Sequence, residues 1–361
     1  MKPNQLNVIL GLNPCVQRKV NLASPRISIG SVNRASFVTS GVGGKGQGAF
    51  LAACLAALPS CTTTPSIAQF VGGVQGENLM MELCSKATIL NQNFDRSLTV
   101  KTSSETRTCT TLISGEDATE IVEPGPQISP EEAAELLAKF QNSDFAGVGK
   151  LLVCGSLPGN LPSSYYKELV QICKPQLLLI DSVVGFSELM DLCSSQKTST
   201  MSTPRRVILK LNSREIVKLA GLPQNLDGDS VSQTNPTEAL KILKHKYACI
   251  SEVLITDGPF NAAIMHTPQN GRPRILFLKL PENEEVDGFS VSSPIGAGDC
   301  VSGVLFQTLQ PNDNFKTLTL RFAFALACGY ASCNTDCNSQ FSPTLAQKIY
   351  ETIILQNKLD E

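Results

Sequence analysis

"RVILKLNSREIVKLA", from Arg206 to Ala220, decides how the chain is built. A short apolar run rich in branched residues ends at Asn212, and a helical pattern over Ser213–Ala220 follows without a linker. That hand-over predicts a buried strand feeding a helix. Similar apolar runs recur as "LNVILGL", "SIAQFVGG", "KLLVCGS", "QLLLID" and "SEVLITDG", each bounded by Gly, Pro, Asn or Asp. Further helical patterns cover Gln47–Leu58, Glu77–Ala87, Pro130–Gln141, Ser163–Cys173 and Thr237–Tyr247. Strands alternating with helices of this length predict an α/β fold, a mainly parallel sheet with helices on both faces.

Two stretches break the rhythm. Pro25–Ser40 and Thr99–Val122 alternate apolar and polar residues ("VNRASFV", "VKTSSETRTCTTLI", "ATEIV") without an intervening helix. They predict antiparallel strands of a small accessory sheet, a flap able to close over a substrate. The expectation is one domain over residues 1–361, with lid strands from about 13–40 and 97–123. Ser194–Pro204 and residues 222–236 are polar and read as mobile surface loops.

The bulk properties narrow the function. Of 361 residues, 42% are apolar and 17% charged, which provides for a sizeable core and argues against disorder. Lys and Arg number 30 against 32 Asp and Glu, a net charge of −2. That balance gives no footprint for nucleic acid or an anionic membrane. Thirteen scattered cysteines, an odd number and without a Cys-x-x-Cys pair, accompany only two histidines. They read as reduced, mostly buried thiols in a cytoplasmic protein, not as a disulfide or zinc framework. The N-terminal apolar stretch is too short for a signal peptide, and Ala49–Leu58 is about half a membrane span.

Four motifs carry candidate chemistry. In "SPIGAGDCVSGVLF" (Ser293–Phe306), Gly296, Ala297 and Gly298 precede Asp299 where an apolar helix begins. Glycines let backbone N–H groups converge, and a helix N-terminus adds positive potential, so the stretch suits an anion. A carboxylate beside an anion cradle suits a group that accepts a proton during phosphoryl transfer. The plain alternative for Asp299 is a helix cap. "SGVGGKGQGAF" (Ser40–Phe50) is neither a Walker loop, since Gly46 follows Lys45, nor a dinucleotide fingerprint. Its glycines permit close approach to a ligand or tight helix–strand packing alike.

"LKLNSREI" sets Asn212 and Glu215 on one face of a helix at a strand end. Hard oxygen donors at the carboxyl edge of a parallel sheet suit magnesium held largely through water. An Asn cap with Glu at the third helical position is the alternative. In "SETRTCTTL", Arg107 has the side chain best shaped for two-point contact with phosphate, or is a solvated strand-edge residue.

Taken in order, "LNPCVQRKV", "VNR", "GGKG", "ETRT", "TEIVEPGPQIS", "GSLPGNLP", "LIDS", "NSRE", "GAGD" and "ACGYAS" span nearly the whole chain. With them the chain resembles the PfkB (ribokinase-like) carbohydrate kinases, nearest the 1-phosphofructokinase and tagatose-6-phosphate kinase branch. The resemblance implies a three-layer α/β/α sandwich with a β-sheet lid, and transfer of the γ-phosphoryl of ATP, with Mg²⁺, to a hydroxyl of a sugar or sugar phosphate. It implies Asp299 as base and Gly296, Ala297 and Gly298 as anion hole. Asn212 and Glu215 would order magnesium and its water, Lys210 would contact nucleotide phosphate, and Thr256 and Gly258 would approach ATP. Arg107 would meet the substrate's phosphate, while Gly43, Gly44, Lys45 and Ser156 would lie on the sugar side. A homodimer through the lid sheet is also implied.

Three positions depart from the pattern. The relatives' early motif reads Asn-Pro-x-x-Asp, and Gln17 takes the Asp position; Gln keeps an acceptor, loses the charge and adds donors. Gly48 stands where the relatives carry a substrate-contacting Asn, and Pro294 where a Thr is common. The expectation is an active phosphotransferase whose acceptor differs or is held more loosely. Two alternatives remain at this point: a kinase-like binding protein without turnover, and a kinase for an unphosphorylated sugar or a nucleoside.

Overall fold

The computed structural model describes residues 6–57, 64–115, 117–141, 148–195, 206–223, 236–258, 261–266, 274–293, 295–335 and 339–359. In chain order the elements are β1 (Asn7–Leu10), β2 (Cys15–Leu22), β3 (Ala35–Gly43), α1 (Lys45–Ala56), β4 (Ser66–Gly72), α2 (Gly73–Ile89), β5 (Thr99–Thr102), β6 (Thr108–Ser114), β7 (Asp117–Val122) and α3 (Pro130–Gln141). There follow β8 (Lys150–Cys154), α4 (Tyr165–Cys173), β9 (Leu177–Asp181), α5 (Phe186–Ser195), β10 (Arg206–Asn212), α6 (Ser213–Leu219), α7 (Pro236–Lys246) and β11 (Glu252–Asp257). The chain closes with β12 (Asn261–His266), β13 (Arg274–Lys279), α8 (Ala297–Thr308), α9 (Phe315–Ser332) and α10 (Pro343–Asn357).

Nine strands form one sheet in the order β13-β12-β11-β10-β9-β8-β1-β4-β5, all running the same way except β12, which pairs antiparallel with both β11 and β13. The central strands are apolar on both sides because both sides are covered. Successive residues alternate between two cores: Ile9, Leu152, Leu179 and Ile208 enter one, and Val8, Leu10, Val153, Ile180 and Leu209 the other. Helices α1, α2, α8, α9 and α10 cover the first face, and α3 to α7 the second. The result is a three-layer α/β/α sandwich. The chain leaves β1 toward β4 on one side and returns to β8 on the other, so strand order reverses at β1. In open α/β sheets ligands bind beyond the carboxyl ends of strands at such a reversal.

The accessory sheet has the order β3-β2-β6-β7. Its composition corrects the sequence expectation. The N-terminal lid strands are β2 and β3, while Ser24–Arg34 between them carries no strand. There Asn33 accepts from the Ser28 amide and donates to the carbonyls of Ser28 and Ser31, and Gly30 has φ +77°. Local side-chain turns win over pairing in that segment. Residues Thr99–Thr102 belong to the main sheet, parallel to β4, with Val100 and Thr102 buried. The lid is not wholly antiparallel either: β6 reaches β2 after a crossover through the main sheet and runs parallel to it. The loops expected at residues 194–204 and 222–236 lie largely outside the described residues, as do Leu58 and Pro294.

Candidate active site

A cavity of about 520 Å³ opens between the lid and the carboxyl ends of β1 and β8, where Gly11, Cys154 and Gly155 line its floor. The lid contributes Gln17, Arg107 and Glu120, the β3–α1 junction Gly43, Gly44, Lys45 and Gly48, and the helix α8 start Gly296 and Asp299. Glu215 and Ser156 also border it. The structure therefore gathers most of the sequence-derived candidates in one space. Ala297 and Gly298 begin helix α8 directly behind Gly296. Asn212, Thr256 and Gly258 do not line the cavity; Asn212 and Thr256 are in register at the ends of β10 and β11, with Gly258 just beyond.

Asp299 is placed by the turn before it. Gly296 takes φ +82°, a left-handed conformation that favours glycine, and its carbonyl starts helix α8 by accepting from the Cys300 amide at 2.8 Å. The first-turn N–H groups of the helix then face outward without intrahelical acceptors. The carboxyl of Asp299 is enclosed by protein on most sides, with one edge at the cavity. Burial pushes it up to about 7; Lys45 and Lys210 oppose that shift, while Asp181 and Glu215 add to it.

Beneath Asp299 lies a charge network that sequence reasoning missed. Asp181, at the end of β9, is buried. It accepts from Lys210 Nζ at 3.1 Å, Lys45 Nζ at 3.4 Å and Ser302 Oγ at 2.5 Å. Burial alone would raise its pKa, but Lys210 and Lys45 hold it at about 2. Lys45 also donates to Glu215 Oε1 at 3.1 Å. Its ammonium lies well above the ordinary lysine range, because Asp181, Glu215 and Asp299 outweigh the cost of burial. Lys210 donates its second bond to the Gly298 carbonyl at 2.9 Å, so it braces the glycine turn from behind. The signal available was "LIDS", an acidic residue closing a buried strand opposite Cys154 of β8.

Asn212 and Glu215 form the capping box that their spacing allowed. Asn212 Oδ1 accepts from the Glu215 amide at 2.8 Å, and Glu215 Oε2 accepts from the Asn212 amide at 3.0 Å. Among the described residues Arg107 is held by carbonyls alone: Nη1 donates to the Glu123 carbonyl at 3.3 Å and Nη2 to that of Asn13 at 3.2 Å, while its buried Nε has no partner there. Asn13, also missed, donates to Ser156 Oγ at 3.0 Å and to the Leu157 carbonyl at 3.2 Å, and its buried Oδ1 is unpartnered among the described residues. It joins the "NP" and "GSLP" stretches through its side chain and Arg107 through its carbonyl. Gln17 anchors its amide nitrogen on Thr111 Oγ1 at 2.8 Å.

The fold is an α/β sandwich with a cavity at the carboxyl edge of its parallel sheet, beside a small accessory sheet. Residues 6–344 match the pfkB family of carbohydrate kinases, and the chain belongs to that family. It is a carbohydrate kinase. Phosphofructokinase-2 from Escherichia coli, solved in complex with potassium, is similar with a TM-score of 0.71 and 18% identity, over 97% of this chain and 99% of that one. A possible 1-phosphofructokinase from Thermotoga maritima has a TM-score of 0.68 at 16% identity, covering 96% and 98%. The ribokinase of Arabidopsis thaliana, complexed with ribose and ATP, has a TM-score of 0.62 at 16% identity, covering 96% and 99%. Among the described residues no helix is long and apolar enough to cross a membrane.

Proposed function

We propose that the chain, acting as one kinase domain, transfers the γ-phosphoryl of ATP to a hydroxyl of a phosphorylated hexose. One observation carries the reading: the Asp299 carboxyl, raised to about 7, borders the same cavity as Arg107, a guanidinium with no carboxylate partner among the described residues. The acceptor hydroxyl would lie against Asp299, which takes its proton as the oxygen attacks the γ-phosphorus. The bond to the β-phosphate oxygen breaks and ADP leaves. The first-turn N–H groups of helix α8, around Gly296, Ala297 and Gly298, would receive the charge of the moving phosphoryl group, with Lys45 and Lys210 close behind. Arg107 would fix the acceptor's phosphate at the other end. Gln17, Gly43, Gly44, Gly48 and Ser156 would bound the sugar, and Thr256 and Gly258 the nucleotide.

Kinases of this family use ATP, typically with a divalent metal. Both oxygens of Glu215 and Oδ1 of Asn212 already have protein partners. These residues therefore fit a hydrated Mg²⁺ held through its water shell, where the ion would neutralise phosphate charge. A homodimer through the lid is supported by exposed Phe37, Val38 and Ile121 on its outer strands.

The test is ADP release with Mg-ATP against fructose 1-phosphate, fructose 6-phosphate, tagatose 6-phosphate, free hexoses, ribose and nucleosides, with wild type and Asp299→Ala side by side. Turnover of a phosphorylated hexose, lost in the variant, is the expected result. Turnover of free sugars or nucleosides alone would overturn the acceptor assignment. Stabilisation by ATP without turnover of any acceptor would make this a binding protein.

A further inference from the structure

Cys15 and Cys109 take no part in the phosphoryl transfer derived above, yet both line its cavity. They come from the central parallel pair of the lid, β2 and β6. Gln17 lies opposite Cys109, and Cys15 is two residues before Gln17, so both thiols project from the same side. The two thiols are diagonal neighbours on adjacent strands, near enough for each to bear on the other's charge. Space for them is made on the third strand: Gly43 lies opposite Cys15, and a Cβ there would stand 2.7 Å from Cys15 Sγ. The glycine that opens the sugar side also leaves room for the thiol pair.

The charged groups around the pair are Arg107, which favours a thiolate, and Glu120, which opposes one. Cys109 is pulled down to about 7, first by the Cys15 thiol, with Arg107 and the Glu123 backbone assisting against burial and Glu120. Cys15 is pushed up, by the neighbouring Cys109 thiol and by burial. At Cys54 and Cys173 burial works alone and pushes the thiols up to about 12. Such a contrast separates a reactive thiol from a space-filling one.

We propose that Cys15 and Cys109 form a redox-modifiable dithiol at the acceptor end of the cavity, closed to a disulfide by hydrogen peroxide and reopened by thiols, so that oxidation blocks acceptor binding. The Cys109 thiolate attacks one peroxide oxygen; the S–O bond forms, the O–O bond breaks and hydroxide leaves. Sulfur is oxidised to the sulfenic acid and peroxide is reduced. The Cys15 thiol then attacks that sulfur, the S–S bond forms, the S–O bond breaks, and water leaves with the Cys15 proton. The block on acceptor binding rests on the kinase reading; formation of the disulfide does not.

The experiment treats the full chain with hydrogen peroxide, traps free thiols by alkylation and maps the products by mass spectrometry. The expected result is a Cys15–Cys109 peptide pair lighter by two hydrogens, formed before Cys84 and Cys249 are modified, although these two are more exposed. Dithiothreitol should restore the free thiols, and fructose 1-phosphate should slow the cross-link. Cys109→Ser should lose reversible inactivation, while Cys84→Ser should respond as wild type does. Oxidation of Cys84 or Cys249 first, or sulfinic acid on Cys109 without cross-linking, overturns the proposal. A cross-link that leaves acceptor turnover unchanged overturns its placement at the acceptor end. Because the cross-link is read by mass, absence of kinase turnover would not disguise either outcome.

Discussion

The side chain that Gly48 lacks leaves the space into which Asp299 fits: a Cβ at position 48 would lie 3.1 Å from the Cβ of Asp299 and 3.3 Å from its Oδ2. The same Cβ would stand 2.5 Å from Ser339 Oγ. Ser339 is buried, left-handed at φ +57°, and donates to the Gly296 carbonyl at 3.0 Å. Gly48, Ser339 and the glycine turn therefore form one packed unit around the proposed base. Gly48→Asn, the residue expected from relatives, should push Ser339 off Gly296 and misplace Asp299. A misplacement near 1 Å costs on the order of 10²-fold in rate. Adding Ser339→Gly frees the space and relieves the left-handed backbone, so the double variant should recover part of kcat. Equal kcat for wild type and Gly48→Asn would show that the contact does not position Asp299.

Asp299 should impose a pH limb on the reaction. A base with a pKa of about 7 is half protonated there, so kcat/KM should rise with pH up to about 7 and then level off. Stability should move the other way. The folded-state pKa lies above the unfolded value of about 3.9, so the Asp299 contribution is fully present below that value and lost as pH rises through about 7, at about 1.4 kcal/mol per pH unit in between. Asp299→Asn removes this loss. Its Tm relative to wild type should climb between pH 4.5 and 7.5, while turnover falls by ~10²–10⁴. A flat Tm difference across that range would mean that the carboxyl is not held protonated.

Arg107 reaches the cavity with its two terminal nitrogens on carbonyls and, among the described residues, no carboxylate paired with it. Arg107→Ala should raise KM for a phosphorylated acceptor by roughly 10- to 100-fold, the loss of charged hydrogen bonds of about 1.5–3 kcal/mol. KM for ATP should change little. Arg107→Lys should recover only part, since a point charge does not reproduce the fork. Initial rates with each substrate varied in turn separate the two constants, and equal rises in both would remove the proposed role.

The layers of this fold were legible because apolar periodicity records burial. "LLLID" and "RVILKLN" are mainly apolar because both sides of the sheet are covered, and they became β9 and β10 with those boundaries or within one residue of them. The lid was less legible, since pairing partners depend on a crossover that no local pattern encodes. The candidate residues could be located from glycines and charges at strand ends. Their connections could not: Asp181 lies far in sequence from Lys45 and Ser302, and Ser339 follows a helix with no motif of its own. Such contacts are set by the packing of α1 and α8 on one face, where Gly303 meets the Ala49 backbone with no room for a side chain.

That face also depends on a lysine far from the cavity. Lys150, buried at the start of β8, donates to the carbonyls of Phe306 at 2.7 Å, Gln307 at 3.0 Å and Leu309 at 3.0 Å, at the carboxyl end of α8. The last carbonyls of a helix lack intrahelical donors and carry negative potential, so a single ammonium there satisfies several at once. Lys150→Met keeps the apolar stem and removes the charge, leaving those carbonyls buried without that donor. The expected cost is on the order of 1–3 kcal/mol for the unsatisfied group, read as a lower urea midpoint with unchanged slope. KM for ATP and acceptor should stay near wild type, because the other end of α8 holds Asp299 and is still braced by Lys210 at Gly298. A selective rise in one KM without loss of stability would instead mean that Lys150 acts through the position of the helix.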